Sequence, residues 1–163
     1  MIKSVKDQQG LYNPEFEHDS CGVGYICNFK GHKSHKIVSD ALTILENMEH
    51  RGACGCDPNS GDGAGLLFQI PHDFLVEECQ KINIKLPNTG DYGVGMIFFP
   101  KKPTVKEACR TAIYKGAEKL GLQILGFRKV PVNSTGIGEM ALSFEPDIEQ
   151  LFISKPAYIT NQD

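Results

Sequence analysis

No run in the 163 residues approaches the ~20 consecutive apolar positions that a membrane-crossing helix needs. The opening MIKSVKDQQG is polar and lacks the apolar core of a secretion signal. Blocks of Lys and Arg are missing too. With 17 basic side chains against 20 acidic ones and a formal charge of -3, nothing marks a binder of nucleic acid or another polyanion. Repeats and low-complexity tracts are absent. Hydrophobic residues at 40% and charged residues at 23% exclude a disordered or fibrous chain. The expectation is a cytoplasmic protein of one domain, with no nucleic-acid or membrane partner.

Metal-ligand spacing is missing as well. Cys54 and Cys56 form C-x-C with no second C-x-x-C or H-x-x-x-H, and His32, His35, His50 and His72 have no mutual ligand spacing. No metal site is expected. The six cysteines could make three disulfides, but without a secretion signal reduced thiols are expected.

What the chain does have is glycine, 17 residues of it, concentrated in GACGCDPNSGDGAG over 52–65. Such a stretch reads as a loop that must turn tightly or approach something closely. Around it the elements alternate. CGVGYICNF (21–29) reads as a buried strand and IVSDALTILENMEH (37–50) as a helix with Val38, Ala41, Leu42, Leu45 and Met48 inward, stopping near Arg51-Gly52. AGLLFQI (64–70) reads as a second strand, and Pro71-His72-Asp73 opens a short helix to about Ile82. GVGMIFF (93–99) is a third strand, Pro103 begins the most regular helix, and 122–130 and 140–144 read as two more strands. Phe98, Phe99 and Phe127 are assigned to the core. The pattern predicts a layered α/β or α+β domain after a polar leader, residues 1–20.

Three features carry chemistry. Cys21, at the head of the first strand, is by default a small buried hydrophobe. If the Ser20–Cys21 bond is cut, its free α-amine, with a pKa near 8, becomes a base beside a thiol of about 8.5. Nucleophile and base are then one residue. Arg51 sits where a helix meets the glycine loop and by default caps helical carbonyls. Asp62, between glycines, by default makes a local turn. Gly61-Asp62-Gly63-Ala64-Gly65 is not a dinucleotide fingerprint, because it precedes a predicted strand instead of following one and opening a helix.

Taken together, GLYNPEFEHDSCGVGYI (10–26) and LENMEHRGACGCDPNSGDGAGLLFQIPHDF (45–74) resemble the beginning of glutamate synthase large subunits. That family opens with a class II glutamine amidotransferase domain of the N-terminal-nucleophile hydrolase fold, an α+β four-layer αββα sandwich. The resemblance implies that residues 1–20 are a propeptide, that 21–163 are the front of that domain, and that the sandwich is truncated on its C-terminal side. It implies Cys21 as nucleophile, with Arg51, Gly52, Asp62 and Gly63 bordering the glutamine pocket. No cofactor is expected in this stretch. For full-length members the resemblance implies FMN and an iron–sulfur cluster, with NADPH, NADH or ferredoxin as electron donor, 2-oxoglutarate as second substrate and a small electron-delivering subunit as a possible partner. The family's oxyanion-hole Asn-Gly pair is missing, since no Asn-Gly dipeptide occurs in the chain. An inactive fragment or binding module, and an amidotransferase serving another acceptor, are the alternatives. Domains of that last kind usually begin Met-Cys-Gly without a twenty-residue leader. A thiol redox or metal protein built on Cys54 and Cys56 is a further one.

Overall fold

The computed structural model describes residues 22–48, 57, 59–156 and 158–159. Two compact units emerge: one comprises residues 1–55 with 61–67, the other 56–60 with 68–163.

Among the described residues of the first unit the one regular element is α1, His35–Asn47. Ser34 starts it by accepting the Lys36 N–H (3.1 Å), and Lys36 pairs with Asp40 one turn on. Its last turn closes at Met48, whose N–H reaches the Ile44 carbonyl at 3.1 Å. Val38, Ala41, Leu45 and Met48 form the expected half-buried stripe together with Ile37 and Ile44, but Leu42 turns outward. The expected stop at Arg51-Gly52 lies outside the described residues. The predicted strand over 21–29 does not form: residues 22–28 are irregular, and Val23, Tyr25 and Phe29 are each about nine-tenths exposed. The strand predicted over 64–70 is likewise irregular, with Leu67 fully exposed. Both have strand composition but no partner among the described residues, and a strand without a ladder leaves its backbone groups to water.

The second unit is built on a three-stranded sheet. Its elements are α2 (His72–Gln80), β1 (Tyr92–Phe99), α3 (Pro103–Lys119), β2 (Ile124–Lys129), α4 (Glu139–Ser143) and β3 (Asp147–Ser154). Strand order is β1-β3-β2, with β3 antiparallel to both neighbours, so β1 and β2 run parallel with β3 between them. The expected strand at 140–144 is instead the short helix α4, and the strand that completes the sheet is β3. Pro71 precedes the first turn of α2, and Pro103 occupies the first turn of α3, as the missing proline N–H allows. Gly121, at φ +65, ends α3, so that Leu122 N–H reaches back to the Ala117 carbonyl (2.9 Å).

The register sorts the side chains onto two faces. Tyr92, Val94, Phe152 and Arg128 share the face met by Leu75 and Cys79 of α2, forming the main apolar cluster with Ile84 and Leu86. Burying a side chain such as Leu75 or Phe152 stabilises by about 1.5–3 kcal/mol. Leu125 forms a bulge opposite β3, and Gly126 beside it sits so close to Ile84 that an added Cβ would lie 2.5 Å from Cδ1. On the opposite face α3 lays Arg110 over the Phe127 ring (4.4 Å) and sends Lys106 to Asp147 and Glu149 (2.7 and 2.8 Å). Phe99 is buried as expected and Phe127 partly so, but Phe98 is 63% exposed. Helix length explains this: nine helical residues cover about 13 Å, whereas eight strand residues run about 27 Å. The Met96–Phe98 end of that face stays bare.

Candidate functional site

Of the residues assigned chemistry by sequence, Cys21, Arg51 and Gly52 lie outside the described residues, as do residues 1–20, His50, Cys54 and Cys56. Asp62 and Gly63 are described. Both are exposed in the loop 61–67, and the space where a Gly63 side chain would stand is open. In sequence, the described residues nearest these positions are 22–28, which follow Cys21, α1, which ends four residues before Arg51, and the loop that carries Asp62.

The residues between Arg51 and Asp62 hold a feature that sequence reasoning missed. Asp57, Asn59 and Ser60 belong to the second unit and meet the start of α4 there. Asp57 Oδ1 accepts the Asn59 N–H (2.9 Å) and Oδ2 accepts the Ser60 hydroxyl (3.0 Å). The Ser60 hydroxyl oxygen, in a side chain only 6% exposed, accepts the Ala141 N–H at 3.1 Å. The Asn59 carbonyl accepts the Gly138 N–H at 2.8 Å. The Asn59 amide above all, then the Ser60 hydroxyl and the Met140 and Glu139 amides, hold the Asp57 carboxyl below the usual carboxylate range. The only signal in sequence was the D-x-x-S spacing, which predicts a local turn and not a partner eighty residues away.

Elsewhere the titratable groups are structural. His72, the first residue of α2, places Nδ1 3.0 Å from the Tyr92 hydroxyl. Burial pushes the Cys79 thiol up, which makes it unreactive. Cys27, Cys79 and Cys109 are free thiols. Among the described residues no three His, Cys, Asp or Glu side chains are grouped to hold a metal ion. No described helix is long and apolar enough to cross a membrane.

Comparison with known proteins identifies the family. Residues 21–163 match the family described as glutamine amidotransferases class-II, a match that starts at Cys21. The chain is 47% identical over 151 residues to "Glutamate synthase [NADH]" of Schizosaccharomyces pombe, a match covering 92% of this chain and 7% of that protein. It is 47% identical over 145 residues to "Glutamate synthase [NADPH] large chain" of Bacillus subtilis, covering 89% and 9%. It is 41% identical over 140 residues to "Ferredoxin-dependent glutamate synthase 2" of Synechocystis, covering 86% and 9%. The chain thus spans less than a tenth of the length of these relatives. With a family match over nearly its whole length, and relatives aligned along the same stretch, the chain belongs to the class II glutamine amidotransferases.

Proposed function

We propose that the chain supplies the glutaminase part of a glutamate synthase, with Cys21 as its nucleophile. The observation that carries this reading is that the family match begins at Cys21, immediately after a polar leader. Residues 1–20 are then a propeptide whose removal frees the Cys21 α-amine. The amine takes the thiol proton, directly or through one water, and the thiolate attacks the side-chain amide carbon of glutamine. The tetrahedral oxyanion collapses, the α-ammonium returns its proton to the departing nitrogen, and ammonia leaves. Water then cleaves the γ-glutamyl thioester, giving glutamate and restoring the thiol. Arg51, Gly52, Asp62 and Gly63 border the glutamine pocket.

The fold proposed is the four-layer αββα sandwich. Residues 22–29 and 64–70, which have strand composition and expose Val23, Tyr25 and Leu67, would belong to its second sheet. In the whole protein the ammonia reacts with 2-oxoglutarate, and reduction of the imine gives a second glutamate. FMN and an iron–sulfur cluster supply that reduction when bound, with electrons from a nicotinamide cofactor or ferredoxin, by way of a small subunit where one exists. Among the described residues, Cys27, Cys79 and Cys109 join no group of metal-binding side chains.

The test is amino-terminal sequencing and glutaminase assay of the protein purified from its own cells. The expected sequence begins Cys-Gly-Val-Gly, and Cys21→Ala is expected to abolish release of ammonia from glutamine. An amino terminus that retains Ser20, or glutaminase activity in Cys21→Ala, would refute the assignment.

A further inference from the structure

We propose that β1 is a docking edge for a second copy of this chain, the two β1 strands pairing antiparallel across a twofold axis at Met96. In the strand order β1-β3-β2 only one side of β1 is bonded, and among the described residues no strand pairs with the other side. The phase of the ladder fixes which groups are left over. Lys155 N–H donates to the Asp91 carbonyl at 2.7 Å, and in an antiparallel pair the bonded positions alternate. Gly93, Gly95, Ile97 and Phe99 therefore bond β3, whereas Tyr92, Val94, Met96 and Phe98 turn their amides and carbonyls outward. Tyr92 is buried at its end of the strand, but Met96 and Phe98 are exposed and Val94 is half-buried.

Sheets blunt such edges with lysine, proline or a bulge. The other edge follows that rule, for β2 carries a bulge at Leu125 and the charges of Arg128 and Lys129. β1 has none of these devices. Its sequence YGVGMIFF holds no charge and no proline, and its register with β3 runs unbroken from Tyr92 to Phe99.

The same features select the occupant. In a self-pair a charged side chain meets its own copy or lies close to it, and like charges set opposite one another are destabilising. β1 meets no such penalty, whereas Arg128 and Lys129 would on β2. One register joins all the accessible outward groups. Met96 faces the second copy's Met96, and Val94 faces its Phe98, each pair exchanging two hydrogen bonds. Since side chains two apart share a sheet face, the exposed Met96 and Phe98 of both copies pack side by side there. The contact uses the same surface of each copy and closes after two, and the two three-stranded sheets become one. Nothing in it depends on the glutaminase reading.

The register makes the test specific. Two cysteines at position 96 would have Cα atoms about 5.5 Å apart, a span that a disulfide fits. Two at position 98 would lie about 14 Å apart along the strands, too far to bridge. Both positions are exposed, so neither substitution disturbs the core. The 163-residue chain is oxidised mildly and run on a non-reducing gel, with the unaltered chain giving the background from its native thiols. Met96→Cys is expected to give a linked dimer, and Phe98→Cys no more than the background. Met96→Pro removes an outward amide and leaves the bonds to β3 in place. In sedimentation velocity it is expected to weaken the dimer of the unaltered chain at least about tenfold, at an unchanged melting temperature. Equal cross-linking at 96 and 98, an unaltered chain that stays monomeric, or a Met96→Pro chain that dimerises normally would overturn the proposal. If Met96→Pro does not fold, the comparison of Met96→Cys with Phe98→Cys decides.

Discussion

Glu149 is a carboxylate with 4% of its surface exposed, on the central strand of the sheet. It is tolerated there because α3 brings two cations to it: Lys106 at 2.8 Å and Arg110, whose guanidinium also lies on the Phe127 ring. Removing one partner of such a pair leaves the others desolvated and unmatched. Glu149→Ala is therefore expected to destabilise the sheet unit by about 3 kcal/mol, read from the urea midpoint, and Glu149→Gln by less. Equal, small losses in both variants would show the pair to be energetically neutral. Lys106 and other ion-paired side chains set the response to pH. Their hydrogen bonds hold Asp147 (from Lys106), Glu78 (from Lys81, then Arg128) and Glu145 (from Lys101, then Ser134) below the usual carboxylate range. A depressed carboxylate contributes its stability in full above the ordinary value of about 4, and loses it as pH falls through the lowered value. The opposite sign holds for Lys106, raised by Asp147 and Glu149, whose contribution lasts up to the ordinary lysine range of about 10.4 and fades as pH climbs past it. The melting temperature should accordingly be level from about pH 5 to 9 and fall steeply below about pH 4. A melting temperature indifferent to pH between 5 and 2 would remove these bonds from the stability of the fold.

At the scale of elements, Arg128 adds polar contacts to the apolar docking of α2 through Leu75 and Cys79. Arg128 on β2 reaches Glu78, bonds Gln150 (3.0 Å) and stacks its guanidinium over Phe74, which with Glu78 lies on α2. Arg128→Ala is expected to speed amide exchange throughout His72–Gln80 while leaving α3 protected. Uniform loss of protection in both helices would mean that the unit opens only as a whole. α1, α2, α3, β1 and β2 were legible in sequence because their signals are local: proline at or beside the first turn, apolar positions three or four apart, a β-branched and aromatic run. β3 was not legible. Asp147-Ile148-Glu149-Gln150 reads as a polar segment unless one knows that Lys106 and Arg110 wait on the facing helix. The strand predicted at 140–144 failed for a related reason, since the short apolar run is turned into a helix by Ser60 and Asp57 from eighty residues away. Likewise the family resemblance could be read from the blocks over 10–26 and 45–74, whereas the contact of Asp57, Asn59 and Ser60 with the start of α4 could not, its partner being remote in sequence.

For the whole molecule, the apolar surface left open is large. Val23, Tyr25, Phe29 and Leu67 stand exposed in the first unit, and Met96, Phe98 and Phe144 in the second. Exposed apolar side chains, where they form patches, mark surfaces that associate. The chain alone is expected to bind a hydrophobic dye in its native state and to self-associate at micromolar concentration, as sedimentation velocity would report. A monomer with no dye binding would show that these surfaces are covered in solution.

The placing of β3 has a consequence for biosynthesis. The strand that joins the other two is the last of the three to be made: β1 ends at Phe99 and β2 at Lys129, and neither has its ladder partner until Asp147–Ser154 emerges. At about 5–20 residues per second, β1 spends several seconds on the ribosome as an unpaired apolar strand. During that interval Tyr92–Phe99 is the segment a nascent-chain chaperone would meet, and synonymous codons that slow translation between residues 100 and 146 would lengthen its exposure.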